Sequence, residues 1–462
     1  MDRKFVNREN ELKFLEEEWR RKDSSLVILY GRRRIGKTTL IKHFIQNKNA
    51  LYFVATEESE NENRKNLRNA LADFTQNDFL KKTVDLDWDE LFSIFASHKS
   101  VGGKILVIDE FQYLGKANKG FLSVFQKIWD ELLANSGIMA ILCGSLVSLM
   151  QSQTLSYSSP LYGRRTGQIR MSQIPFAHYE SFFENPETID PIKYYSITGG
   201  VPKYIELFKP FPDIFEAIKK NILSKQSFLY EEPVFLLEKE VGEIGTYFSI
   251  VKSIAAGNHK IGKIAGVLGI RQSGATKYLK TLTQLDLVKR IVPVTEKNPE
   301  KSKKGLYFIT DNFIKFWFRY VYPYRNYLEI ENTEPVIKNL KADFIKNHVG
   351  FVYEDICGEK LLDLSGKGLF DFTILKSGRW WDKNNEIDIV ALSAEQDGII
   401  FCECKYTKKK VDADVYFKLK EKSKKVKHAP GAVKYYVIFS RFGFSDSLIK
   451  LAGGDRNLYL SG

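Results

Sequence analysis

Cysteine is scarce in this chain: four residues in 462 (Cys143, Cys357, Cys402 and Cys404). They form no paired zinc-binding pattern, and so few in this length build no disulfide scaffold. Long apolar runs are missing too. The longest mostly apolar stretch, Gly137 to Met150, is too short to span a bilayer and is broken by Gly144 and Ser145. The opening residues Met1-Asp2-Arg3-Lys4-Phe5 lack the apolar core of a secretory signal. These absences argue against a membrane partner and for a cytoplasmic protein. No segment repeats itself. Acidic residues are in deficit, 57 against 70 Lys and Arg, and the net charge of +13 favours polyanionic partners such as nucleic acid.

Apolar material is nonetheless plentiful, at 44% hydrophobic and 13% aromatic residues, so the chain builds buried cores. At roughly 150 residues per domain, about three domains are expected. Residues 1–185 alternate apolar strands and helices, the pattern of an α/β domain with a parallel sheet covered on both faces. Strands are expected at Leu26–Tyr30, Leu51–Ala55, Ile105–Ile108 and Ile138–Leu142. Residues 186–246 turn helical, interrupted by Gly199-Gly200-Val201-Pro202. Residues 247–325 read as a compact helical unit followed by a hairpin, and residues 326–462 as α+β. The one biased stretch is Lys405–Lys427, with ten lysines against three acidic residues.

The densest chemical signal is Gly31-Arg32-Arg33-Arg34-Ile35-Gly36-Lys37-Thr38, which fits the phosphate-binding loop pattern GxxxxGK[ST]. The apolar run Ser25–Tyr30 precedes it and an amphipathic helix from Leu40 follows, the context such a loop requires. Its glycines let backbone N–H groups curl around phosphates, Lys37 reaches the β- and γ-phosphates, and the Thr38 hydroxyl ligates Mg²⁺. Thr39 completes the set expected at the nucleotide. A second apolar run, Ile105–Ile108, ends at Asp109-Glu110. Asp109 would orient the Mg²⁺ shell beside Thr38, and Glu110 would activate the attacking water. The bland alternative is a cap on the helix near Gln112. Ser145, closing the run from Ile138, is either a sensor of the γ-phosphate or a helix cap. Arg164 and Arg165 lie in a basic loop, and either one near the γ-phosphate would stabilise transition-state charge, in cis or from a neighbouring subunit of a homo-oligomer.

These segments, with Phe5-Val6-Asn7-Arg8-Glu9-Asn10-Glu11-Leu12 and Thr198-Gly199-Gly200-Val201-Pro202, resemble the archaeal-type P-loop ATPases of the AAA+/STAND group along most of the chain. The resemblance implies ATP and Mg²⁺ as cofactors. It also implies that Phe5, Val6 and the residues up to Arg8 lie against the adenine, and that Gly199–Pro202 sits in a helical lid.

Further along, Ile261–Ile270 and Gln272–Leu282 read as two short helices joined through Gly269, the form of a helix-turn-helix. A wing would run along Val288–Val294 and return along Leu306–Ile309, across the tip Lys297–Lys304. Arg271, Gln272, Ser273, Thr276, Lys277 and Lys280 are the candidates to meet DNA, although such a winged helix can also serve as a hinge.

In the last segment, strand alternation puts Glu403 and Lys405 on one face, with Cys402 and Cys404 on the other. A hairpin turning at Glu395–Gly398 would bring Asp388 to Glu403, and two such carboxylates suit a divalent cation, with Lys405 beside it for phosphodiester cleavage. Glu354 is a candidate further ligand. The alternative is a surface ion pair with Lys405. With Trp380-Trp381, this triplet resembles the PD-(D/E)xK nuclease superfamily. Two functions then compete: an ATP-gated, metal-dependent DNA-processing enzyme, and an ATP-driven switch or scaffold that cuts nothing.

Overall fold

The structure is a computed structural model that describes residues 5–83, 85–241, 243–428 and 431–462. Met1–Lys4, which carried the reading of the N-terminus, lie outside the described residues. The chain divides into two compact units, Met1–Phe182 with Gly200–Glu206, and Phe183–Gly199 with Leu207–Gly462. Among the described residues no helix is long and apolar enough to cross a membrane.

The first unit is built on a five-stranded sheet of β1 (Ser25–Tyr30), β2 (Ala50–Val54), β3 (Lys104–Asp109), β4 (Ile138–Gly144) and β5 (Gly167–Arg170). Its order is β2-β3-β4-β1-β5, and every pairing is parallel. Every residue of β1, β3 and β4 is buried, which is why these strands read as unbroken apolar runs rather than alternating ones. Alternate side chains enter opposite cores: Leu26, Ile28, Leu106 and Ile108 on one face, Val27, Leu29, Ile105 and Val107 on the other. The edge strand β5 escaped the sequence reading because Ile169 is its single buried residue, and the rest is glycine and polar. Helix α1 (Glu9–Trp19) precedes β1, and α2 (Lys37–Ile45) follows it. The adjacent strands β3, β4 and β1 all run the same way, so the segments that follow their C-terminal ends meet at one edge, where ligands of such sheets sit.

The second unit begins with helices, among them Pro191–Thr198, which Asp190 caps by accepting the N–H of Lys193. Three helices follow, Ile244–Ala255, Ile261–Leu268 and Gln272–Gln284. The turn after the second uses Gly269 at φ 66°, a left-handed position that favours glycine. A two-stranded antiparallel ribbon, β6 (Val288–Ile291) with β7 (Leu306–Ile309), comes next. A long helix runs from Glu334 to Phe344, passes through a wider turn at Ile345–Val349 and continues as Gly350–Gly366, which carries Glu354. It packs on a mixed sheet of β8 (Ile374–Trp381), β9 (Glu386–Ser393), β10 (Gly398–Lys405), β11 (Val433–Ser440) and β12 (Leu458–Ser461). Strands β8, β9 and β10 are antiparallel neighbours, and β10, β11 and β12 are parallel ones.

Candidate functional site

The loop after β1 is shaped by its glycines. Gly36 has φ 96° and nothing near the position a Cβ would take, and at Gly31 a Cβ would lie 2.5 Å from the Met171 carbonyl oxygen. Lys37 opens α2 and is buried, and its ammonium donates to the carbonyls of Gly31 (2.7 Å) and Arg32 (2.8 Å). Burial pushes its pKa down, opposed by the nearby Cys143, Glu110 and Asp109. An ammonium stripped of water and held only by neutral carbonyls is suited to exchange them for phosphate oxygens. Ile35 is buried in the core and Thr39 is exposed on the first turn of α2. Arg33 donates to the Tyr113 hydroxyl at 2.9 Å, while its buried Nε has no partner among the described residues.

The carboxylates at the end of β3 face this loop. Asp109 accepts from the Thr38 hydroxyl (3.0 Å), the Tyr52 hydroxyl (2.5 Å) and the backbone N–H of Glu110 (2.9 Å). Burial, then the bond to Asp109, pushes the Tyr52 hydroxyl up, so it stays a donor. The oxygens of Thr38 and Asp109 form a hard-donor pair of the kind Mg²⁺ accepts, since that ion fills its remaining positions with water and phosphate. Among the described residues no group of three or more His, Cys, Asp and Glu side chains is placed to hold a metal.

Glu110 adopts φ 55°, an uncommon conformation for a residue with a side chain. The hydroxyl of Ser145, at the end of β4, donates to its carboxylate at 2.7 and 3.0 Å, the Ser145 N–H approaches at 3.3 Å, and Gln112 Nε2 donates at 2.5 Å. Neither capping alternative describes these residues. Phe111 and Leu146 occupy the two N-cap positions, and neither cap carries a side-chain bond.

The remaining candidates in this unit are more scattered. Phe5 stacks on His43 of α2 with centroids 4.4 Å apart, and Val6 is buried. Arg8 donates to the carbonyls of Ile35 (3.2 Å) and Ser172 (2.8 Å), tying the N-terminal segment to the loop. Arg164 is bound to Asp130 at 2.8 Å and to the Pro160 carbonyl, and Arg165 lies 5.7 Å from the Tyr162 ring. Among the described residues no hydrogen bond joins either arginine to the loop Gly31–Thr38.

In the second unit the β9–β10 ladder pairs Ile389 with Cys402. Asp388 and Glu403 are therefore neighbours on the next rung, and Asp388 accepts the N–H of Cys404 at 2.8 Å. Burial and then the charge of Glu403 push the Asp388 carboxyl up. The buried Glu403 accepts from Lys405 at 2.7 Å and from Lys422 at 3.1 Å. Glu354 is engaged by Arg379, which also pairs with Glu386 at 3.2 Å, and burial pushes the Glu354 carboxyl up. Tyr52 and Arg379 were missing from the sequence reading, and Arg8, Gln112 and Lys422 were not read as partners of Ser172, Glu110 and Glu403. No local pattern announces these contacts.

Residues 5–208 match the model of an ATPase domain predominantly from Archaea, and residues 317–419 match archaeal and bacterial proteins of unknown function. An uncharacterized protein of Methanocaldococcus jannaschii is 38% identical over 444 residues, 95% of either chain. An uncharacterized ATP-binding protein of the same organism is 61% identical over 44 residues, 10% of this chain and 75% of that one. Among solved structures, a Walker-type ATPase of Pyrococcus abyssi aligns over 68% of this chain and 96% of its own, with a TM-score of 0.53 and 22% identity, a likeness of fold.

Proposed function

The chain belongs to the archaeal-type ATPase family, and on that premise we propose that it binds and hydrolyses ATP and uses the cycle to act on DNA through its second unit. The observation that carries this reading is the bonding around Asp109 and Glu110. One carboxylate is engaged by the loop's Thr38, and the next is held by Ser145 and Gln112.

In this reading Lys37 exchanges the Gly31 and Arg32 carbonyls for β- and γ-phosphate oxygens, and backbone N–H groups of Gly31 to Thr39 cradle the phosphates. Thr38 and Asp109 would hold Mg²⁺, which when bound neutralises phosphate charge. Glu110 takes the proton of the attacking water, with Ser145 fixing the carboxylate. Phe5 and Val6 lie against the base. Arg164 or Arg165, released from its present partner or supplied by a neighbouring copy in a homo-oligomer, offsets developing charge.

The helix Gln272–Gln284 with the ribbon β6–β7 forms a winged helix for duplex DNA, with Arg271, Gln272, Ser273, Thr276, Lys277 and Lys280 toward the groove. Asp388, Glu403 and Lys405 form the site of Mg²⁺-dependent phosphodiester cleavage in a PD-(D/E)xK-like domain. A second reading, the non-cutting switch, draws support from Glu403, whose charge is already met by two ammonium groups. Labelled duplex and single-stranded DNA, incubated with the protein, Mg²⁺ or Mn²⁺ and ATP, separate the two. Cleavage that Asp388→Ala and Lys405→Ala abolish, with ATP turnover intact, supports the nuclease. A wild-type protein inert on all substrates leaves the switch.

A further inference from the structure

A groove of about 860 Å³ in the second unit plays no part in the reading above. Its walls come from the end of the helix Ile244–Ala255 and from the segment between Phe318 and Asp343. The volume falls within the roughly 300–1,000 Å³ typical of ligand sites.

Three cations line it: Lys252, Arg319 and Arg325. Lys252 is exposed and makes no ion pair among the described residues, and its ammonium stands 5.0 Å from the centroid of the Tyr322 ring. Arg325 gives one N–H to Glu231 at 2.6 Å, which leaves most of its five-donor fork unspent. The side-chain amides of Asn326 and Asn339, also on the wall, take part in no hydrogen bond among the described residues. The two lining carboxylates are already engaged. Asp343 accepts from Arg319 at 2.9 Å and Tyr320 at 2.8 Å, and Glu329 is paired with Lys225 at 3.1 Å and accepts from Tyr230 at 2.9 Å. A ligand therefore meets unspent cationic donors, free amides and the face of Tyr322 that Lys252 covers, the ring being packed elsewhere against Phe248, Trp317 and Phe318.

We infer that this groove holds a segment of single-stranded nucleic acid. Lys252 leaves the Tyr322 ring to meet a phosphate beside Arg325, an unstacked base takes its place against that ring, and Asn326 and Asn339 bond to base edges. Stacked, paired bases cannot present their faces or pairing edges in this way, which is why the occupant is a single strand and not a duplex. The inference rests on the nucleic-acid-binding reading and deepens it, assigning single strands to this groove and duplex to the helix Gln272–Gln284.

Fluorescence anisotropy with an oligothymidylate of about twenty nucleotides, and with a duplex of equal length, tests it at low salt. The double variant Lys252→Glu with Asn326→Asp changes two exposed side chains that make no hydrogen bond or ion pair among the described residues, and unchanged thermal melting verifies its fold. It should lose about tenfold or more in single-strand affinity through lost phosphate contacts, with duplex binding unaltered. The variant Lys277→Ala with Lys280→Ala should do the reverse. Wild-type single-strand affinity in the first variant overturns the groove while leaving nucleic-acid binding intact. A wild-type protein that binds neither probe overturns both. Thymidine monophosphate that displaces the strand at matching concentration makes the site one for free nucleotide and overturns the strand assignment.

Discussion

Lys37 and Ser145 mark the two halves of the proposed ATP site at the scale of single residues. Lys37→Ala removes the ammonium that would meet the phosphates, and the loss of two charge-assisted bonds, about 3 kcal/mol, should weaken ATP binding roughly a hundredfold by titration calorimetry. Ser145→Ala deletes the hydroxyl that fixes Glu110. As a positioning change it should lower kcat about tenfold, the cost of one bond to a charged group, and leave KM unaltered. A rise in KM at constant kcat would instead make Ser145 a binding residue. His348, in the second unit, carries a pH effect. Its ring is buried, Nε2 bonds to the Ser196 carbonyl at 2.6 Å, and burial pushes its pKa down to about 3, with Lys315 adding to the shift. The folded state keeps the ring neutral while the unfolded chain takes up a proton below about pH 6.5. Stability is therefore lost as pH falls from about 6.5 towards 3, at up to about 1.4 kcal/mol per pH unit from this group. Urea midpoints of wild type and His348→Gln, compared between pH 7 and 4.5, should converge as the pH drops. Midpoints that fall in parallel would remove His348 as the cause.

At the scale of elements, the turn Gly199–Pro202 depends on close backbone approach. The N–H of Ile174 donates to the Gly200 carbonyl at 2.8 Å, and a Cβ on Gly200 would lie 1.8 Å from the Ile174 carbonyl oxygen. Gly200→Ala should destabilise the protein by about 3 kcal/mol or more, since neither backbone can yield without breaking that bond, and thermal melting reads it directly. The parallel sheet was legible because strands buried on both faces appear as short, unbroken apolar runs, as β1, β3 and β4 do, and the edge strand β2 is apolar along its length although only half-buried. The fifth, β5, has too little apolar content to show. The phosphate-binding loop was legible because one contiguous run holds it. What surrounds it was not: Tyr52 reaches Asp109 from β2, and Gln112 reaches Glu110 across a turn in which Glu110 is left-handed. Arg379 on Glu354 and Lys422 on Glu403 are likewise products of tertiary packing, so the sequence reading left those carboxylates free for metal.

At the scale of the whole molecule, the charge of +13 sets the expected salt response. If DNA is held through some six to ten phosphate contacts, affinity should fall about 10³- to 10⁵-fold between roughly 50 and 200 mM salt, because each contact releases a counterion. Salt-insensitive binding would point to apolar or base-edge contacts instead, and no detectable binding at low salt would remove DNA as a partner. The central claim, ATP hydrolysis with Glu110 as the base, is tested most directly by steady-state phosphate release with Mg²⁺ and ATP from wild type and Glu110→Gln, with nucleotide affinity measured in parallel. The account predicts unchanged affinity and turnover reduced by about a hundredfold or more, the usual contribution of a general base. Parental turnover in Glu110→Gln would contradict it.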